Sequence, residues 1–170
     1  CPAGAACATG SVEPGWCAPG SFAPSTGMAT CTRCTSGTYQ GGEGATTCLE
    51  CIEHSWCGKG SSAPTPCEAG TVGRLPGLSN ASQCEPCPKG SWCSAGKDIA
   101  CPGGTYNAET GQSDQGACLS CPAMSESPEA STSRAACVCL EGYYDNHADP
   151  AEVECVLCPV GTCLLYTSPS

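Results

Sequence analysis

Leucine, isoleucine, valine and phenylalanine together fill only about a tenth of this 170-residue sequence, and phenylalanine occurs once. That is well below the roughly 20% at which chains stop building an ordinary apolar core. Basic residues are also scarce, 6 against 16 acidic ones, for a net charge of -10 at pH 7. Such a balance repels phosphate backbones and anionic lipid, which excludes nucleic-acid binding as the natural reading. No apolar run approaches the roughly 20 residues that a membrane-spanning helix needs, so no direct membrane insertion is expected of this segment. The sequence opens on Cys1 in mid-pattern with no basic, apolar leader, so a signal peptide or anchor is expected outside it. With only two histidines, His54 and His147, the usual general base near neutral pH has two places to be.

What is abundant is cysteine (20), glycine (22) and proline (15). Ordering the backbone costs roughly 1–2 kcal/mol per residue, and covalent crosslinks are what remains to offset it. Closing a loop of about 15 residues removes unfolded-chain entropy worth roughly 3 kcal/mol. Such bonds persist in an oxidising compartment, which points to an extracellular location.

The cysteines repeat. Cys1, Cys7, Cys17, Cys31 and Cys34 are separated by 5, 9, 13 and 2 residues; Cys51, Cys57, Cys67, Cys84 and Cys87 by 5, 9, 16 and 2; Cys87, Cys93, Cys101, Cys118 and Cys121 by 5, 7, 16 and 2. A shorter unit holds only Cys34 and Cys48, and a further one runs through Cys121, Cys137, Cys139 and Cys155 before Cys158. Glycine stands three residues after seven of these cysteines, as Gly20, Gly37, Gly70, Gly90, Gly104, Gly142 and Gly161, with His54 in that slot after Cys51. Two positions beyond come Phe22, Tyr39, Trp92, Tyr106 and Tyr144, with Val72 as the exception. Gly27, Gly44, Gly77 and Gly111 fall ten residues after their loop-opening cysteines. The pattern predicts a positive-φ turn, a short strand whose aromatic covers the crosslink, and a second turn back.

If each unit closes on itself, Cys34 has no partner but Cys48. The equivalent loops then close as Cys17–Cys31, Cys67–Cys84 and Cys101–Cys118, leaving Cys1–Cys7, Cys51–Cys57 and Cys87–Cys93 as tight bridges. Cys121–Cys137 and Cys139–Cys155 follow, and Cys158 is left stranded. The rival pattern alternates first-to-third and second-to-fourth within each four-cysteine unit, joining Cys87 to Cys101; sequence by itself leaves both open.

Cys118-Leu-Ser-Cys121-Pro122, continuing to Cys137-Val-Cys139-Leu-Glu-Gly142-Tyr143-Tyr144 and Asp149-Pro150 before Cys155, resembles the EGF-like half of the cysteine-rich region of ephrin receptors. Cys87-Pro88-Lys-Gly90-Ser-Trp92-Cys93 and Cys101-Pro102-Gly-Gly104-Thr105-Tyr106 resemble the multi-copy form of that repeat. The resemblance covers nearly all of residues 1–162. It implies a small disulfide-rich fold, mostly irregular with short β-hairpins, stacked as an elongated rod of EGF-like modules with tumour-necrosis-factor-receptor ectodomains as the architectural analogue. The expected divisions are 1–33 (a first cysteine-rich repeat, truncated at its start), 34–50 (a two-cysteine repeat), 51–86, 87–120, 121–157 (the ephrin-receptor EGF-like module) and 158–162 (the start of a cut repeat). Residues 163–170 read as a translated sequencing adapter and are left out of the fold argument.

Three sharper chemistries compete. Cys31-x2-Cys34-x13-Cys48-x2-Cys51 has the spacing of a four-thiolate zinc ribbon, but Cys7, Cys17, Cys57, Cys67, Cys93 and Cys101 fit no four-ligand scheme. Trp56-Cys57-Gly58-Lys59-Gly60 starts like a thioredoxin-type redox site, yet Gly60 stands where the resolving cysteine belongs. Asp145, Asp149, Glu152 and Glu154 could attract calcium but lack the alternating carboxylates of a dedicated loop. Neither histidine sits in a catalytic constellation; Trp16, Trp56 and Trp92 could form a ligand-binding stripe, but Trp56 and Trp92 each precede the second cysteine of a tight bridge and read first as covers over sulfur. Asn80-Ala81-Ser82 is an N-glycosylation sequon. The sequence is therefore expected to be a non-enzymatic extracellular spacer or adhesion segment of a larger glycoprotein, with no catalytic residues, cofactor or metal. Its expected partners are other extracellular proteins or repeats of the same parent chain. The alternatives are a ligand-binding, ephrin-receptor-like ectodomain and, behind it, a zinc protein.

Overall fold

The computed structural model describes residues 1–147, 149 and 152–159. The structure is small-module and disulfide-rich, mostly irregular, and among the described residues it is built from nine two-stranded antiparallel hairpins. In every one the first strand begins four residues after an opening cysteine. The first unit holds β1 (Ala5–Ala6) with β2 (Gly15–Trp16), β3 (Ser21–Phe22) with β4 (Thr32–Arg33), β5 (Thr38–Tyr39) with β6 (Leu49–Glu50), β7 (Ser55–Trp56) with β8 (Thr65–Pro66), and β9 (Thr71–Val72) with β10 (Glu85–Pro86). Then come β11 (Ser91–Ser94) with β12 (Lys97–Ala100), β13 (Thr105–Tyr106) with β14 (Leu119–Ser120), β15 (Ser125–Glu126) with β16 (Val138–Cys139), and β17 (Tyr143–Asp145) with β18 (Cys155–Leu157). Contacts group these into two units, Cys1–Pro86 with Ser94–Lys97, and Cys87–Cys93 with the chain from Asp98. The four-cysteine units of the sequence each contain two hairpins, and the short unit 34–50 contains one.

The turn before each first strand is left-handed. Three residues after the opening cysteine, φ is positive at Gly4, Gly20, Gly37, Gly70, Gly90, Gly104 and Gly142, and also at two residues that are not glycine, His54 (68°) and Met124 (60°). A second left-handed turn recurs nine or ten residues after the opening cysteine, at Gly10, Gly27, Gly44, Gly60, Gly77, Gly96, Gly111 and Ala130. Gly161 lies outside the described residues.

One disulfide locks each hairpin. Cys1–Cys7, Cys51–Cys57 and Cys87–Cys93 are tight bridges six residues apart. Cys17–Cys31, Cys34–Cys48, Cys67–Cys84, Cys101–Cys118, Cys121–Cys137 and Cys139–Cys155 span 14 to 17 residues and close the base of the second strand. Counting within units leaves Cys158 stranded, and here the structure differs: Cys158 is disulfide-bonded.

Successive hairpins are tied by a repeated set of backbone hydrogen bonds. The left-handed residue donates to the carbonyl six residues after the next opening cysteine: Gly4 N to Ala23 O, Gly20 N to Gln40 O, Gly37 N to Cys57 O and His54 N to Gly73 O in the first unit, Gly90 N to Asn107 O and Gly104 N to Ser127 O in the second. In return the second-turn amide of the following hairpin bonds the opening cysteine: Gly27 N to Cys1 O, Gly44 N to Cys17 O, Gly60 N to Cys34 O and Gly77 N to Cys51 O, then Gly111 N to Cys87 O and Ala130 N to Cys101 O. Packing reaches one hairpin further, because a Cβ on Gly4, Gly20 or Gly37 would meet the carbonyl of Gly44, Gly60 or Gly77 at 2.1, 2.2 or 2.6 Å. Backbone groups that a larger core would hide inside long strands are thus satisfied between short ones.

The interior is sulfur. The largest completely buried side chains are Val72, Asn107 and seven cysteines, Cys17, Cys34, Cys51, Cys57, Cys87, Cys93 and Cys101. The aromatics stay nearer the surface: Phe22, Tyr39, Trp56, Trp92 and Tyr106 are half-buried, Tyr144 and Trp16 exposed.

Candidate functional site

Three places in the chain concentrate side-chain chemistry: the last hairpin, the Asn80 turn and His54. In the last hairpin, Tyr144 pairs with Val156 and Asp145 with Cys155, so the connection from 146 to 154 is closed at its base by Cys139–Cys155. The Asp145 carboxylate turns back into this connection and accepts from the backbone N–H of His147 (3.1 Å) and of Glu154 (3.2 Å). Those two N–H groups hold its carboxyl below the ordinary carboxylate range, with the charge of His147 adding a smaller push in the same direction. His147 presents Nε2 3.0 Å from Glu154 Oε2 and Nδ1 3.5 Å from Glu152 Oε2. Arg134, from the eighth hairpin, donates from Nη2 to Val153 O at 3.0 Å.

His147, Glu152, Glu154 and Arg134 line an open groove of about 440 Å³ together with Pro122 and Ala123. The groove's polar atoms are turned on one another, Arg134 holding a carbonyl and the two glutamates flanking one imidazole, while Asp145, outside that lining, braces two amides. That arrangement fastens the connection to the eighth hairpin. Among the described residues no group of three histidine, cysteine or acidic side chains is arranged to hold a metal ion. Of the four carboxylates weighed for calcium, the structure brings Glu152 and Glu154 together on His147 and spends Asp145 on backbone.

His54 occupies the left-handed slot of the fourth hairpin. Its N–H donates to Gly73 O, its carbonyl accepts from Cys67 N, and its ring Nδ1 lies 3.1 Å from Gly96 O. The side chain is half-buried and works as a strut within the first unit. The cysteines with ribbon spacing are divided among separate disulfides: Cys31 with Cys17, Cys34 with Cys48, Cys51 with Cys57. Sulfur in a disulfide is not the thiolate that binds zinc. Cys57, the cysteine of the redox-like stretch, is completely buried in its bridge to Cys51.

The three tryptophans sit at different depths. Trp16 is 58% exposed, with ring carbon Cε3 2.9 Å from where a Cβ on Gly44 would stand. Trp56 and Trp92 are half-buried on first strands. Asn80 is exposed ahead of the 3-10 turn Ala81–Gln83 and caps it.

Sequence reasoning passed over Asn107. It stands six residues after Cys101, the position that holds Cys7, Cys57 or Cys93 in the tightly bridged hairpins, and it is 2% exposed. Its Nδ2 donates to Ser91 O at 2.8 Å and its Oδ1 accepts from Glu109 N at 3.0 Å. Ser127 fills the same slot one hairpin later, donating to Thr105 O. Only the alignment of that position with the cysteines could have marked them.

No protein-family model matches the chain. Among the described residues no helix is long and apolar enough to cross a membrane.

Proposed function

We propose that this chain is a non-enzymatic structural segment, a spacer or adhesion region, of a larger secreted or membrane-anchored extracellular glycoprotein. The observation that carries the reading is the ladder: hairpins of one design, each with its own disulfide, bonded through the same backbone atoms at four successive junctions of the first unit and two of the second. Repeats joined this way add length without adding a central core, and each unit's stability is set mainly by its neighbours. Short loops pinned at both ends also offer few segments that a protease can draw out. The nine disulfides that join described cysteines fit an oxidising compartment. The stretch Cys101-Pro102-Gly103-Gly104-Thr105-Tyr106 resembles the ephrin-receptor-like repeat, which fits an extracellular glycoprotein.

Force spectroscopy on the chain held by its two ends tests this. The oxidised chain should release only the short lengths lying outside the disulfide loops, and the reduced chain should run out to full contour length. Extensive release from the oxidised chain at low force would contradict a load-bearing or spacing role.

A second reading, a ligand-binding ectodomain, is favoured by one feature. Ile99, Leu119 and Val138 are 40, 53 and 58% exposed on the second strands of the sixth, seventh and eighth hairpins, and aliphatic side chains outside on neighbouring modules suit a protein partner. The complete reading frame separates the two: further repeats or adhesive modules support the spacer, while a membrane span followed by a signalling domain supports the receptor.

A further inference from the structure

We infer that Asn80 is the attachment point of an N-linked glycan, carried on its Nδ2. The inference rests on the extracellular reading above and on how the fold divides the two ends of this side chain. Oδ1 is in use: it accepts from Ser82 N at 3.0 Å and from Ser82 Oγ at 2.5 Å, capping the 3-10 turn Ala81–Gln83. Nδ2 makes a single long contact, 3.4 Å to Ser79 Oγ, while that hydroxyl itself donates to Gln83 Oε1 at 2.9 Å. Asn80, Ala81, Ser82 and Gln83 are all exposed.

The turn recurs in the seventh and eighth hairpins and shows what the cap requires. In the seventh hairpin Asp114 accepts from Gly116 N at 2.6 Å ahead of Gln115–Ala117. A carboxylate, with no nitrogen at all, does the same work. In the eighth, Ser133 precedes Arg134–Ala136 and makes no side-chain cap bond, so the turn forms without one. The sister turns form with Gly116 or Ala135 two residues after the cap and with no amide nitrogen at it, so the turn itself requires neither the amide nitrogen of Asn80 nor the hydroxyl of Ser82. They are the two groups that an N-glycosylation acceptor needs, two residues apart.

The modification leaves the cap intact, because an N-glycosylated amide keeps its carbonyl. The co-reactant is an oligosaccharide on a lipid pyrophosphate, presented by a membrane-bound transferase. The bond formed joins Nδ2 to the anomeric carbon of the first N-acetylhexosamine, and the bond broken is that carbon's link to the pyrophosphate oxygen. The lipid pyrophosphate leaves with the electron pair, and the Nδ2 proton passes to the transferase.

The test is secretion of the full chain from a eukaryotic host, followed by enzymatic deglycosylation and non-reducing peptide mapping. Wild type should shift in mobility, with Asn80 recovered as aspartate after amidase treatment. Asn80→Asp should be secreted with the same disulfides and melting midpoint and show no shift, since Asp114 already demonstrates that carboxylate cap; Ser82→Ala should also lose the shift. Wild-type chain secreted with its disulfides formed but without a shift, or a shift that survives Asn80→Asp, overturns the glycan and leaves the extracellular reading standing. A chain that is retained with reduced thiols, in wild type and variants alike, overturns the extracellular reading and the glycan with it.

Discussion

Left-handed backbone costs a non-glycine residue about 1–2 kcal/mol, and this chain places such backbone at one fixed offset from every opening cysteine. At Gly37 (φ +87°) the cost would be compounded, because a Cβ there stands 2.6 Å from Gly77 O. Gly37→Ala should lower stability by about 2 kcal/mol or more, whereas Gly27→Ala, with φ +77° and open space around it, should cost only about 1 kcal/mol. Denaturant unfolding of the oxidised variants measures the difference; equal losses would mean that the close approach is relieved by a shift. Met124 supplies the converse. It is 48% exposed with φ 60°, so Met124→Gly should relieve more strain than it adds in unfolded-chain freedom and stabilise by about 0.5 kcal/mol. The glycine spacing made these turns legible in sequence, but Met124 and Ala130 were hidden because a left-handed position is announced only when glycine fills it.

The hairpins differ in how they are closed, and the difference has a size. On the loop-closure relation, a bridge like Cys34–Cys48 stabilises by about 3 kcal/mol and a tight one like Cys87–Cys93 by about 2.4 kcal/mol. Paired Cys→Ala variants at each site should fall in that order by denaturant unfolding. Cysteine counting made both kinds of loop visible, and strand positions followed from Thr-Tyr and Ser-Trp pairs after each turn. The polar interior did not follow. Asn107 looks like a loop residue until its slot is matched to Cys57 and Cys93, and Asn107→Ala should cost about 2 kcal/mol by leaving Ser91 O and Glu109 N without their partner. In the ninth hairpin the bracing is electrostatic and follows pH. Because Asp145 is held below the ordinary carboxylate value, its contribution is present above that value, about 3.9, and is lost as pH falls through the lowered one. The amides of His147 and Glu154 should share an NMR shift change below about pH 4 that Asp145→Ala abolishes; in Asp145→Ala both should already be displaced at neutral pH.

Across the whole molecule the scarcity of leucine, isoleucine, valine and phenylalanine has its counterpart in what is buried. Where a globular domain would hide branched aliphatics and rings, the largest completely enclosed side chains among the described residues are seven cysteines, one valine and one asparagine, and the aromatics remain partly in water. The acidic side chains have no such interior to avoid. Ten of the sixteen lie from Asp98 onward, against Arg134 alone among the basic residues there, which keeps that stretch strongly hydrated. Composition made the replacement of an apolar core by crosslinks legible, while the inter-hairpin ladder was not, since it is made by backbone atoms that every residue carries. The central claim is that disulfides hold this fold together. Far-UV circular dichroism of the intact chain during heating, with all disulfides formed and again after full reduction and thiol blocking, tests it most directly. The oxidised chain should melt cooperatively and the blocked chain should show no transition; a cooperative melt at the same temperature in both would contradict the account.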